Sequence, residues 1–341
     1  MHDTCHGTPK LYEVFDKDFF IGAAVNTSTI KSHDELLKHH FNSITAENEM
    51  KFENVHPAEN KYTFDQADQI VAFANDQGKN IRGHTLVWHN QTPAWVFENE
   101  EGTNISRSML LERMASHMES IIGRYKGKVY SWDVVNEAVS DKSGEFLRPS
   151  PWLKTIGEDY IAKAFEYARQ IDPDTLLFYN DYNEFVPEKR DKIYRLVKSI
   201  VDKDIPIDGI GLQGHWNLEF PSIDLIRRGI EKYASLGLQL HITELDISVF
   251  SHDDKRTDVK QPSEDMLIRQ AERYQEIFSL FKEYRDHLTS VTFWGVADDD
   301  TWLDNFPVRG RKNWPFLFDE LHQPKQSFWE IVKLARQAAE R

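Results

Sequence analysis

The sequence predicts an α/β fold, a single (β/α)8 TIM barrel spanning residues 1–341 as one domain. Three observations lead there. Strand-like apolar runs alternate with segments of helical period through eight rounds. No Gly/Ser/Pro-rich linker divides the chain, and the Gly-rich phosphate turn of a doubly wound open sheet is missing after the first strand. Buried parallel strands need helices outside them and no free edge, so eight unbroken rounds favour closure.

Taken in order, the first strand reads FFIGAAVN (19–26), followed by a helix at 33–40, and the second FNSITAENE (41–49), followed by 64–77. NIRGHTLVWH (80–89) precedes a helix at 106–124, and KVYSWDVVNE (128–137) one at 158–171. TLLFYNDYN (175–183) leads to 188–202, and DGIGLQGHW (208–216) to 222–235. The last rounds are LQLHITELD (238–246) with 263–286 and SVTFWGVAD (290–298) with 324–339. Helix punctuation supports the division: in SIDLIRRGIEKYASLG (222–237) a Ser precedes the helix and a Gly follows it. Most connections read as short, and those after strands 4, 7 and 8 as long and polar. In a barrel these lie on the face that carries active sites.

Composition narrows the function. The chain is 40% hydrophobic, 28% charged and 12% aromatic, enough apolar material for a sizeable core. A net charge of −15 repels phosphate backbones and anionic membranes, so neither nucleic acid nor a membrane is an expected partner. Cys5, the single cysteine, allows no intramolecular disulfide and no thiolate metal site. The N-terminal stretch MHDTCHGTPKLYEVF has no apolar run of signal-peptide length, so a cytoplasmic location is the expectation. A monomer or a homodimer fits equally.

Unusual polar residues gather at the C-terminal ends of the strands. Strand 2 ends in Glu47, Asn48 and Glu49, with Lys51 beyond; strand 3 carries His84, Trp88 and His89. Strand 4 ends in Asn136 and Glu137, and strand 5 in Asn180, Asp181, Tyr182 and Asn183. Strand 6 ends in Gln213, His215 and Trp216, strand 7 in Glu244 and Asp246, and strand 8 leads into Trp294. A lone Glu at a strand end is usually a solvated cap or ion-pair partner. Two of them at equivalent ends of parallel strands, each among amides and imidazoles, point to a cleft that does acid/base work. No HExxH occurs and no His-x-His pair ends strand 1, so no metal and no organic cofactor is expected in catalysis.

Paired carboxylates surrounded by Asn, Gln, His, Lys and Trp fit glycosidic-bond chemistry. One carboxyl protonates the departing oxygen while the other attacks or stabilises the cation-like anomeric carbon. Amides and imidazoles donate and accept, as ring hydroxyls do. Of the nine tryptophans, Trp88, Trp294 and Trp302 fall at or beyond strand ends, where an aromatic face packs on a sugar ring and its N–H reaches a hydroxyl; Trp329 is assigned to the core.

The stretches GHTLVWH with His84 and Trp88, SWDVVNEAV with Glu137, GIGLQGHW with Gln213 and His215, and HITELDISV with Glu244 resemble family 10 glycoside hydrolases, the endo-β-1,4-xylanases. Their order and spacing cover nearly the whole chain. The resemblance implies a retaining, double-displacement hydrolysis of xylan fragments or xylo-oligosaccharides. It matches Glu137 to the acid/base, Glu244 to the nucleophile, and His215 and Asp246 to the residues that orient the nucleophile. Asn136 matches the contact to the sugar 2-hydroxyl beside the scissile bond. Glu47, Asn48, Lys51, His84, Trp88, Gln213, Trp294 and Trp302 match glycone-side contacts, and Tyr182 an aglycone-side one. Glu137 is expected to have a raised pKa, since it must hold a proton beside an ionised Glu244. Another retaining β-glycanase on the same fold, such as a β-1,4-glucanase, is the alternative; a non-catalytic sugar binder would have no reason to keep two repelling carboxylates. The acidic stretch Asp298 to Asp300 reads as a solvated loop, with one member free to touch a hydroxyl.

Overall fold

The strands are continuous in burial because each is covered on both faces. In the computed structural model, which describes residues 7–339, the barrel staves are β1 (Phe20–Val25), β2 (Ser43–Ala46), β3 (Asn80–Val87), β4 (Val129–Asn136), β5 (Leu176–Asp181), β6 (Gly209–Leu212), β7 (Gln239–Ser248) and β8 (Leu288–Phe293). Cys5 and its surroundings lie outside the described residues. Every neighbouring pair is parallel, and β1 pairs with both β2 (Gly22 to Ser43) and β8 (Phe20 to Ser290), which closes the barrel. After β6 the chain breaks at Gln213 and Gly214 and resumes its ladder to β7 at His215–Asn217. Gly214 has φ +83°, a left-handed conformation that a side chain would resist.

Each stave is followed by a barrel helix: α1 (Asp34–His40), α2 (Asp65–Asp76), α3 (Arg107–Tyr125), α4 (Tyr160–Ile171), α5 (Pro187–Val201), α6 (Ile223–Ala234), α7 (Glu264–Glu283) and α8 (Gln326–Ala339). Ser106, Ser222 and Ser263 cap α3, α6 and α7 by accepting an N–H three residues on. Helix bounds follow the sequence expectation closely. All staves but β7 end earlier than expected, because their last polar residues turn out of the ladder towards the barrel mouth, whereas β7 runs two residues further, to Ser248. Short helices at Leu11–Val14, Thr29–Ser32, Phe52–Val55 and Pro151–Ile156 carry too few residues for a periodic signal. The connections after β2 (47–64) and β3 (88–106) are also long, which corrects the expectation of three long loops.

Two kinds of core result. Between staves and helices the packing is apolar, as with Phe328, Ile331, Val332 and Ala335 on one face of α8. Trp329 falls off that face; it is 43% exposed rather than core, and stands edge-on to Phe328. Inside the barrel the filling is polar. Asp133 on β4 accepts from Arg82 and from His84 Nδ1 (2.8 Å) on β3, the Arg82 guanidinium lies 5.5 Å from the Phe178 ring on β5, and Phe178 stacks on His241 of β7 at 4.1 Å. On the other face of β3, Gly83 makes room for Trp132: a Cβ there would fall 2.1 Å from its ring. No helix among the described residues is long and apolar enough to cross a membrane.

Candidate active site

At the end of β4 the chain turns out of the sheet, and Glu137 takes φ +56°, a conformation that costs a non-glycine residue about 1–3 kcal/mol. Neighbouring staves hold it there. Its N–H donates to the Asn180 carbonyl (2.9 Å), and its own carbonyl accepts from Arg148 Nε (3.1 Å). The side chain is thereby aimed inward, where Oε2 accepts from Trp88 Nε1 (2.8 Å) and Oε1 from Gln213 Nε2 (3.0 Å). Burial pushes the Glu137 carboxyl up to about 7, with the charges of Asp181 and Glu244 adding to the rise and the two hydrogen bonds opposing it.

Glu244, on β7, sits in the opposite electrostatic environment. Oε1 accepts from Asn180 Nδ2 (2.9 Å), whose amide is oriented by the Thr243 hydroxyl donating to its oxygen (2.7 Å). Oε2 faces His215 Nε2 at 3.1 Å, and His215 Nδ1 donates to Asp246 Oδ2 (2.8 Å). Burial alone would lower the His215 pKa, but Asp246 and Glu244 hold it well above its ordinary value, so the ring is an imidazolium. Burial likewise pushes Glu244 up, and the hydrogen bond and charge of His215, with His84, bring it below the usual carboxylate range. One carboxyl is protonated near neutrality and the other is ionised. Three amides join them: Gln213 Nε2 also faces Asn136 Oδ1 (3.5 Å), which accepts from Asn180 Nδ2 (2.9 Å).

Around this pair opens a cleft of about 580 Å3. Its walls include Glu47, Asn48, Lys51, His84, Trp88, Asn136, Tyr182, Gln213, His215, Trp294 and Trp302, so the structure brings the sequence-predicted contacts together. Asp246 does not line it; it stands behind His215. Lys51 Nζ is fixed by Asn48 Oδ1 (3.0 Å) and Gln91 Oε1 (2.9 Å), 5.0 Å from the Trp88 ring. Tyr182 marks the other end, its hydroxyl donating to Asp141 and accepting from Arg148 Nη2 (2.7 Å). The indole N–H groups of Trp88 and Trp302 are not free for hydroxyls as expected. Trp302 Nε1 donates to Asp246 Oδ2 (2.8 Å), and Trp88 Nε1 to Glu137, so both offer ring faces only.

Of Asp298 to Asp300, Asp298 departs from the solvated loop expected. It is buried, pairs with Lys325 (2.8 Å) and accepts from the Phe316 N–H, while Asp299 and Asp300 are exposed, Asp299 meeting two histidines and Asp300 accepting from Asn26 Nδ2 (3.3 Å). Sequence reasoning gave no role to Asn180, although it stands in the strand 5 polar cluster. Arg148, Gln91 and Phe306, in loops without periodicity, carried no signal at all.

Residues 10–334 match the profile of glycosyl hydrolase family 10. The chain belongs to that family. It is 59% identical to an endo-1,4-beta-xylanase of Geobacillus stearothermophilus, over 97% of this chain and 100% of that one. Endo-1,4-beta-xylanase B of Paenibacillus barcinonensis is 57% identical over 95% of this chain and 98% of its own length. Among solved structures, xylanase XynB of Paenibacillus barcinonensis, complexed with a conduramine derivative, superposes with a TM-score of 0.94 at 57% identity, covering 96% of this chain and 98% of that one. A Caldicellulosiruptor owensensis endo-1,4-beta-xylanase gives 0.93 at 51% identity, covering 95% and 99%. In this family 10 chain the motif-bearing strand ends meet at one mouth.

Proposed function

We propose that this family 10 hydrolase is a retaining endo-1,4-β-xylanase in which Glu137 is the acid/base and Glu244 the nucleophile. The observation that carries the roles is the electrostatic split between two carboxyls in one cleft, one raised to about 7 and one lowered. The named xylanases at 57% and 59% identity support the substrate.

In the first step the Glu137 proton passes to the glycosidic oxygen as its bond to C1 breaks, and a Glu244 carboxylate oxygen bonds to C1. The His215 imidazolium and Asn180 hold that carboxylate while Asp246 fixes the ring. Forming the ester consumes the Glu244 charge, one of the influences that raises Glu137, so Glu137 becomes more acidic once it is deprotonated. In the second step it takes a proton from water as the water oxygen attacks C1 on the side the leaving group vacated, and the bond from C1 to the Glu244 oxygen breaks, returning that carboxylate. The configuration is retained. Asn136 is placed to meet the 2-hydroxyl; Glu47, Asn48, Lys51, His84, Trp88, Gln213, Trp294 and Trp302 take the glycone side, and Tyr182 the aglycone side.

Proton NMR of xylohexaose cleavage, run beside cellohexaose, tests the reading. The first-formed reducing ends should be β-anomers from xylohexaose; α-anomers first, or faster cleavage of cellohexaose, would overturn it. The same proposal keeps the cytoplasmic location and a preference for short fragments over insoluble xylan, which rest on sequence alone; assaying medium against lysed cells decides the first.

The pH profile follows from Glu137. A general acid works only when protonated, so kcat/KM should fall as pH rises through about 7. Trp88→Phe removes an N–H that stabilises the carboxylate, so the basic limb should move to higher pH. A limb that stays in place would show that the titrating group is not Glu137.

A further inference from the structure

Outside the cleft, the segment after β1 meets the loop after β8 at three side chains that the hydrolytic chemistry does not use. His33 Nε2 lies 2.9 Å from Asp299 Oδ1, and His322 Nε2 lies 3.3 Å from Asp299 Oδ2. The two imidazole centroids are 4.4 Å apart, and one ligand atom from each residue can be chosen so that all lie within 4.8 Å of one another. We propose that His33, Asp299 and His322 form a structural zinc site, taking one Zn2+ per chain through the two Nε2 atoms and the carboxylate, with water in the open position.

The donor set argues for this class of ion. Two imidazoles and one carboxylate suit a borderline cation such as Zn2+, whereas Mg2+ and Ca2+ want oxygen ligands. The geometry argues the same way. Zn–N and Zn–O bonds of about 2.0–2.2 Å at a tetrahedral angle separate neighbouring ligand atoms by roughly 3.3 Å. The two nitrogen–oxygen distances, 2.9 and 3.3 Å, lie at or just below that value, and one ligand atom from each of the three residues falls within 4.8 Å of the others, so the side chains already converge on one point.

The tautomer of His33 adds a third argument. The Ser32 hydroxyl donates to the Ser28 carbonyl (3.3 Å), which leaves its lone pairs for His33 Nδ1, 2.7 Å away. With Nδ1 donating to that hydroxyl, Nε2 is the ring atom that faces the carboxylate oxygen, where a proton or a metal ion bridges the two. A hydroxyl that accepts from Nδ1 is also what orients a metal-binding imidazole. His33 is buried and anchored, whereas His322 and Asp299 keep 25% and 36% of their side-chain surfaces exposed, so the ion has a way in. None of the three residues lines the cleft, so the ion would brace the loop that carries Trp302 without entering the chemistry.

The test uses the untagged full chain, stripped by chelation and dialysed against zinc chloride, with Co2+ as a spectroscopic probe. One equivalent of Zn2+ per chain is expected, with a zinc-dependent rise in Tm and visible Co2+ bands that Zn2+ bleaches. His322→Ala and Asp299→Asn, both at partly exposed positions, should each weaken zinc binding by roughly 100-fold or more and abolish the Tm rise, with circular dichroism unchanged. Failure to take up one equivalent overturns the proposal. So does uptake that survives both substitutions, which would place the ion elsewhere. A Tm that falls in both variants but never depends on zinc also overturns it, because the three residues would then be a proton-bridged triad.

Discussion

Glu137→Ala is expected to lose roughly 10²–10⁴-fold in cleavage of xylan linkages while keeping the first step on an aryl xylobioside with a strongly acidic phenol. A sugar alkoxide needs a proton to depart, and such a phenolate does not. The second step then lacks its base, so the glycosyl-enzyme accumulates and phenol appears as a burst followed by slow turnover. Azide needs no base, and should restore the rate with the β-azide as product. Trp88 Nε1 and Gln213 Nε2, which now donate to the Glu137 carboxylate, would face the vacated space and favour an anion there. Equal inactivity on both substrates with no azide rescue would remove Glu137 as the acid/base. Glu47 would then be the candidate, since both Glu49 oxygens are tied to backbone N–H groups of Thr27 and Asn48 at 3.1 Å.

Glu244→Ala should lose on the order of 10⁵–10⁶ in kcat on both kinds of substrate, the scale of removing a covalent nucleophile. No leaving group escapes the need for it, so the aryl substrate offers no relief, and azide yields at most the inverted α-product. A second readout is electrostatic. The Glu244 charge helps to raise Glu137, so its removal should lower the Glu137 pKa from about 7, followed by carbon-13 NMR titration. A burst of phenol from Glu244→Ala would mean that another group forms the covalent bond.

The pattern of eight rounds was legible because buried parallel strands must be apolar and their helices amphipathic, as in the Phe328, Ile331, Val332 and Ala335 face of α8. The same logic misplaced Trp329, since hydrophobicity alone says nothing about which side of a helix a residue occupies. Glu137 and Glu244 stood out as a pair, because two carboxylates at equivalent ends of parallel strands, each among amides and imidazoles, converge on one cleft. Asn180, which links Glu244 to Asn136, stood in plain view, but an amide gains meaning only from the partners it meets.

Local order along this chain therefore settled the staves, the helices and the two carboxylates, because periodicity and burial act over a few residues. Partnership did not follow. Whether the indole of Trp302 serves a sugar or Asp246, whether Asp298 meets water or Lys325, and that His33 and His322 converge on Asp299 from near opposite ends of the chain were decided by closure of the barrel. The split in proton affinity between Glu137 and Glu244 has the same origin. Both start as ordinary glutamates, and only the folded surroundings, a buried wall with Trp88 and Gln213 for one and an imidazolium for the other, drive their pKa values apart.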